Sequence, residues 1–372
     1  LDDIAVLTFA IENGCKKKAP YYLGNLFYDK LQWKKSVELW EMSEKADDTF
    51  SIVHRNLALA YYNKMGDSKA AKCELEKAFS LNRKDARIFL ELDQLYKKLG
   101  YSFKERLAKY DEDPSLAESR DDLYIEYITL MNMCGEYERA YRCIMGRRFH
   151  PWEGGEGKIT TQYTISLLEM AKQCLASEKY EQAEKLLKKA LVYPENLGEG
   201  KLEGTKDNHL FYHLGLALEA QGKHDEAKTC FETATIGTDE PAGAMYYNDQ
   251  PADMILYQGL AFEKLGKTRE AKSRFYRLID YGEQHLNDEG KIEYFAVSLP
   301  DFLIFDEDYT KKNPQALVPL QQASHGSVLP TDPTGGKIYD ALKVAADKVE
   351  IEGVSAKDAL DEAQKTAEEA MS

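Results

Sequence analysis

The chain has 372 residues, a formal net charge of −15 and a sequence pI near 5.1. A surface of that sign repels phosphate backbones and anionic lipid, and the short basic runs Lys16–Lys18 and Arg147–Arg148 are too small to reverse it. Nucleic acid and membrane surfaces are therefore not expected as partners, and no apolar run is long enough to span a bilayer.

Cys15, Cys73, Cys134, Cys143, Cys174 and Cys230 form no CxxC pair, and most occupy helical positions where a small apolar residue would serve. Free thiols in a reducing, cytoplasmic compartment are the expectation. Because the chain opens at Leu1 rather than Met, it reads as a piece of a longer protein, and an upstream targeting signal stays open.

Residues 1–18 read as a helix left over from a preceding repeat, with Ile4, Leu7, Ala10 and Ile11 on one face. An array follows over 19–282. Its first unit carries Leu23, Gly24, Phe27, Trp33, Ser36 and Trp40, with Ser36 where the other units prefer Ala. The second carries Leu57, Ala58, Tyr61, Ala71, Leu75 and Ala78, with one extra residue around Lys64–Gly66. A weaker unit has Leu92, Tyr96 and Gly100, and its second helix (Phe103 to Tyr110) lacks the Ala. Then come Met131, Gly135, Tyr137, Ala140 and Ile144, followed by Met170, Ala171, Tyr180, Ala183, Leu187 and Ala190. The clearest copy is Leu214, Gly215, Leu218, Gly222, Ala227, Phe231 and Ala234, and the last is Gly259, Phe262, Gly266, Ala271 and Phe275. Measured at the position of Leu23, successive units are 34, 35, 35, 43, 44 and 44 residues apart.

Such units resemble tetratricopeptide (TPR) repeats, in which small residues sit where two antiparallel helices cross and larger ones fill the gaps between pairs. The resemblance implies an all-α, right-handed TPR-type α-solenoid of seven helix pairs, with long inter-repeat loops on one edge and a C-terminal helical appendage. The lengthening falls in Gly146–Thr160, Tyr193–Asp207 and Gly237–Ala252, and a further segment, Tyr281–Tyr309, follows the last unit. Gly and Pro density argues against helix there. Glu156-Gly157-Lys158 recurs as Glu199-Gly200-Lys201 and Glu289-Gly290-Lys291, so the loops resemble one another. Stacking should place them side by side, gathering His150, Trp152, Glu153, Glu156, Glu195, Asn196, Glu199, Tyr246, Tyr247 and Tyr294 as candidate binding residues. The competing reading makes these loops longer turns plugged by their aromatic residues.

Residues 283–316 read as a cap on the array, 317–336 as a Pro/Gly-rich linker and 337–372 as a two-helix tail, Lys337 to Val349 and Ala356 to Met371, with Ser355 capping the second. The strings APYYLGNLFYD, VHRNLALAYYN, FHPWEGGEGK and YFAVSLPDFLIFDED resemble the C-terminal repeat array of a bacterial protein family that carries a β-rich domain upstream. Leu329-Pro330, Ile338 to Val349 and GVSAKDALDEAQKTAEEA are similar to the C-terminal end of bacterial extracellular sugar-binding proteins of ABC transporters.

Catalytic motifs are missing. His209 and His213 have metal-ligand spacing, but the Glu of HExxH is absent; GxSxG and GxxxxGK[ST] do not occur. Glu153, Glu156, Glu195 and Glu199 could supply a carboxylate pair, yet an acidic chain offers such pairs freely. No metal or cofactor is expected. The leading reading is a non-enzymatic scaffold that binds a protein partner, or its own upstream domain, through its concave face and loop edge. The alternative is a loop edge that contributes to a carbohydrate-binding or carbohydrate-processing site.

Overall fold

A computed structural model describes residues 2–150, 152, 154–241, 244–245, 249–284, 286, 293–294, 344–345, 348 and 355–371. The chain divides into two compact units, Leu1–Leu81 with Asp306–Ser372, and Asn82–Phe305. The first contains α1 (Asp2–Glu12) and the pairs α2 (Ala19–Asp29) with α3 (Trp33–Ala46) and α4 (Ser51–Met65) with α5 (Ser68–Leu81). The second contains α6 (Ala86–Lys98) with α7 (Phe103–Asp111), a short α8 (Pro114–Glu118), and α9 (Asp121–Met133) with α10 (Tyr137–Met145). It continues with α11 (Lys158–Ala176) and α12 (Tyr180–Ala190), α13 (Asn208–Ala220) and α14 (His224–Ala234), and α15 (Met254–Lys264) and α16 (Thr268–Gln284). The seven expected pairs are all present.

Every pair turns in the same way. The first helix ends on a residue with left-handed backbone, and six positions later in each unit's plan the second helix is under way. The left-handed residues are Leu31, Gly66, Gly100, Gly135, Glu178, Gly222 and Gly266, with φ between 58° and 82°. The amide that follows reaches back to close the helix end: Gln32 N–H to Phe27 O, Tyr101 to Tyr96, Glu136 to Met131, Lys179 to Cys174, Lys223 to Leu218 and Lys267 to Phe262, all at 2.8–3.0 Å. This is the Schellman arrangement, which satisfies carbonyls the helix would otherwise strand. At the extra-residue turn, Asp67 N–H bonds Tyr61 O at 2.9 Å instead.

The helices of a pair cross at a second fixed position, and the sizes of the two residues there are matched. A Cβ added to Gly24 would come 2.5 Å from the Trp40 ring; on Gly215 it would meet the Phe231 ring at 2.5 Å, and on Gly259 the Phe275 ring at 2.4 Å. The equivalent positions hold Ala58 with Leu75 and Ala171 with Leu187, all fully buried. In these five pairs glycine goes with an aromatic and alanine with a leucine, whereas the fourth pair buries Ile128 and Ile144 at the same positions. Ser36, which replaces Ala, is paid no penalty for its hydroxyl because it donates to Gly24 O at 2.7 Å. Trp40 Nε1–H likewise finds Asn25 Oδ1 at 3.0 Å, and Trp40 packs in a core with Val37, Val53, Leu57 and Ala60.

The third pair departs from this plan, as the missing Ala in its second helix foreshadows. Asp93 stands at the small position and Arg106 at the alanine position, and both are about 98% buried. Arg106 donates through Nε to Asp93 Oδ1 at 2.8 Å and through its terminal nitrogen to Asp93 Oδ2 and Glu126 Oε1, each at 2.6 Å. Tyr110 O–H, at the aromatic position, donates to Asp93 Oδ2 at 3.0 Å. Burial pushes the Asp93 carboxyl up, and the Arg106 fork pulls it back toward the charged form.

Two features were not legible in advance. Helix α8 lies between the third and fourth pairs, started by Pro114 at its first position and holding Leu116 and Ala117 buried. A two-residue parallel bridge pairs β1 (Ala244–Met245) with β2 (Glu293–Tyr294). Helix α16 also runs past Tyr281, and α11 starts inside the first long loop, at Lys158. In the tail, α17 (Ala356–Met371) follows the expected cap, with Asp358 N–H on Ser355 Oγ at 3.2 Å. Residues 295–343, which include the proposed linker and most of the cap, lie outside the described residues.

Glu178 is an exposed non-glycine residue held at φ 58°. Glu178→Gly removes that strain and loses some unfolded-chain order, so it should stabilise the protein by about 0.5–1 kcal/mol. Urea unfolding midpoints check this, and an unchanged or lower midpoint would count against the shared-turn account.

Candidate interaction site

The first two long loops are joined residue by residue. Asn196, in a single 3-10 turn at Glu195–Leu197, donates from Nδ2 to Ile144 O and Arg147 O, both at 2.9 Å, and so caps the end of α10. Its carbonyl accepts Phe149 N–H at 2.8 Å, and Phe149 is buried. Glu199 accepts Gly157 N–H at 2.8 Å, placing a carboxylate at the start of α11. Burial pushes the Glu199 carboxyl up, against the pull of that hydrogen bond. Glu156 turns inward on its own loop, accepting Gly154 N–H at 2.7 Å. Trp152 lies flat over Gly155, where a Cβ would come 2.2 Å from the ring.

Of the residues gathered on this edge, Trp152, Glu156, Asn196 and Glu199 therefore hold the loops in shape. His150 is exposed, with its backbone N–H on Asp121 Oδ2 at 2.9 Å, and Glu195 is exposed as well. Tyr294 contributes its backbone to β2. Glu153, Tyr246 and Tyr247 lie outside the described residues. The third loop is braced separately: Gln250 and Gln258 both donate to Thr238 O, at 2.8 and 2.9 Å, and Arg274 holds Gln258 Oε1 and Asp239.

A different surface comes from the first helices of three successive pairs. Helix α13 packs on both α11 and α15. Across them, the Tyr257 ring of α15 lies 5.9 Å from His209, 5.6 Å from His213 and 6.1 Å from Tyr212, all on α13. Tyr212 and His213 meet edge to face at 5.3 Å. Lys172 of α11 donates to Glu169 at 2.6 Å and lies close enough to act electrostatically on both His213 and Tyr257. Tyr212 and Tyr257 are half-buried, so a band of ring surface faces outward beside a Lys–Glu pair. The spacing of His209 and His213 put both on one face, as read from sequence. The pair does not converge as ligands: His213 Nδ1 bonds the His209 carbonyl at 2.7 Å, and His209 Nδ1 faces the Met254 sulfur. Sequence reasoning passed over Tyr212 and Tyr257; the 44-residue repeat that puts Tyr257 at the position of His213 was the available signal.

The family model for the tetratricopeptide repeat matches residues 210–234 and 253–281. These two stretches are tetratricopeptide repeats. With the same turn in all seven pairs, the fold is a TPR-type α-solenoid, and among the described residues its regular elements are helices but for the two-residue bridge. Similar solved structures include YrrB, described as a TPR protein with an unusual peptide-binding site, at 15% identity over 61% of this chain and 97% of that one, TM-score 0.36. A tetratricopeptide repeat protein from Parabacteroides merdae matches at 13% identity over 84% and 100%, TM-score 0.36. The Naa15/Naa10 structure bound to HypK-THB matches at 14% over 89% of this chain and 42% of that one, TM-score 0.39. All six cysteines are free, and among the described residues no helix is long and apolar enough to cross a membrane.

Burial, with the neighbouring His213 and Lys201 charges adding to it, pushes the His209 imidazole down to about 4. A group whose folded pKa lies below its unfolded value gives stability that is present above the unfolded pKa and lost as pH falls toward the folded one. Stability should therefore decline from about pH 6.5 toward about pH 4. His209→Gln should lose less over that interval than the wild type in urea unfolding; parallel pH profiles would contradict the assignment.

Proposed function

We propose that this chain is a non-enzymatic scaffold that binds a protein partner, or a domain of its own parent protein, through the face formed by its first helices and the adjoining loop edge. The observation that carries this reading is the half-buried ring pair Tyr212 and Tyr257 across α13 and α15, packed on the buried His213 and beside Lys172 and Glu169 of α11. Half-buried, preformed aromatic surface next to charge is the composition of a protein-binding hot spot, because the rings lose little freedom on binding and the charges orient the partner. Each ring is held by a regular helix, so the surface exists before a partner arrives and association costs less ordering. The loop edge enters this reading as a rim: His150 and Glu195 are its exposed members, and its inward-tied members fix where they stand. The carbohydrate reading finds no observation in its favour, since Glu156 and Glu199 accept backbone N–H groups and Trp152 covers Gly155.

Selection of a displayed peptide library on the immobilised chain tests the proposal. Enriched peptides should bind the wild type in fluorescence polarisation and lose about tenfold or more in affinity on Tyr257→Ala, a loss of about 1.4 kcal/mol or more. The loop variant His150→Ala should lose less. Peptides that bind wild type and Tyr257→Ala equally, or a library that yields no binder, would overturn it.

A further inference from the structure

Within the first unit, three helices bring metal-ligating side chains to one point. Glu44 near the end of α3, His54 in the first turn of α4 and Glu74 in the middle of α5 each offer a ligand atom, and these atoms all lie within 4.8 Å of one another. The imidazole is fixed from behind. His54 is 1% exposed, and its Nε2 lies 3.0 Å from the backbone oxygen of Asp48. A carbonyl can only accept, so Nε2 carries a hydrogen and Nδ1 is turned toward Glu74 Oε2, 2.6 Å away. A histidine that donates its far nitrogen to a backbone carbonyl while its near nitrogen faces carboxylates is the usual outer-shell arrangement of a metal ligand.

The surrounding charges are arranged so that Glu44 and Glu74 keep facing this point. Lys77 donates to Asp48 at 2.8 Å, and Lys45 lies 3.8 Å from Glu41, whose other oxygen accepts Tyr61 O–H at 3.1 Å. The nearby ammonium groups thus meet the outer carboxylates, while Glu44 and Glu74 stand close around one buried ring.

We propose that Glu44, His54 and Glu74 bind one divalent cation of the zinc class, with His54 coordinating through Nδ1 and each Glu through one carboxylate oxygen. One imidazole nitrogen and two carboxylate oxygens suit Zn²⁺ and its first-row neighbours; Ca²⁺ asks for about six to eight oxygens, and soft Cu(I) asks for thiolates. Three protein ligands leave a position open to water. The cation takes the place of the proton between Nδ1 and Glu74, and that proton passes to solvent. Since the ligands come from α3, α4 and α5, an occupied site ties two repeats of this unit together.

The test is a titration of the full chain with Zn²⁺ by calorimetry, and with Co²⁺ as a spectroscopic probe. One cation should bind per chain, Co²⁺ should show visible d–d bands without a near-ultraviolet thiolate band, and Zn²⁺ should raise the unfolding temperature. Glu44→Gln and Glu74→Gln should each weaken Zn²⁺ binding by about a hundredfold or more, beyond the ~10 to 100-fold that losing an outer-shell partner costs. Glu44 is half-exposed, so its glutamine variant should keep the wild-type far-ultraviolet circular dichroism. Unchanged affinity in Glu44→Gln, a cobalt–thiolate band, or a wild-type unfolding temperature indifferent to Zn²⁺ would overturn the proposal.

Discussion

The structure depends on how closely the two helices of each pair can cross. Where the first helix offers no side chain, at Gly24, Gly215 and Gly259, the second fills the space with Trp40, Phe231 and Phe275. Where it offers a methyl group, at Ala58 and Ala171, the filler shrinks to Leu75 and Leu187. Interiors pack at near-crystalline density, so a change at one side of the crossing has to be answered at the other. The left-handed turn residue then closes the first helix at a fixed distance from that crossing, and the next pair inherits its phase.

The third pair solves the same geometric problem with charge. Asp93 and Arg106 replace two small residues, and Glu126 and Tyr110 complete the network so that no charged group is left without a hydrogen-bonding partner. Such a buried network adds little net stability relative to an apolar filling, but breaking one member is costly. The long loops are a further variation on the same frame. Asn196 caps α10 and Glu199 meets the start of α11, so the second loop is the fastening of the pair before it. Regular helices and braced loops together leave the ring band on α13 and α15 as the surface with chemistry to spare.

Most of the frame could be read from the chain itself, because helix crossing and turning leave periodic marks: Gly215 and Gly259, Ala183 and Ala227, Gly222 and Gly266. The third unit was legible only as a weak copy. Its compensation is between Asp93 and Arg106, and no periodicity announces that two charges will be paired in a core. The loop residues show the opposite case. Trp152, Glu156 and Glu199 have the composition of a binding edge, yet the hydrogen bonds that tie them inward depend on loops from neighbouring repeats meeting at particular atoms. Asn196 is a good cap because its amide donates to two carbonyls at once, a role that its place in the loop sequence did not announce. Tyr212 and Tyr257 went unremarked because aromatic residues on a repeat helix more often belong to the core, and only the packing of α13 on α15 leaves them half outside.

The size-matching rule is tested most directly by a double-mutant cycle on Gly215→Ala and Phe231→Leu, followed by urea unfolding. The cycle cancels the helix preference of alanine over glycine and the lost ring area of Phe231, leaving the contact between the two positions. The account predicts that the double variant, which reproduces the Ala171 and Leu187 pair found elsewhere in the chain, is more stable than the sum of the single changes implies, by about 1 kcal/mol or more. Additive single effects would contradict it.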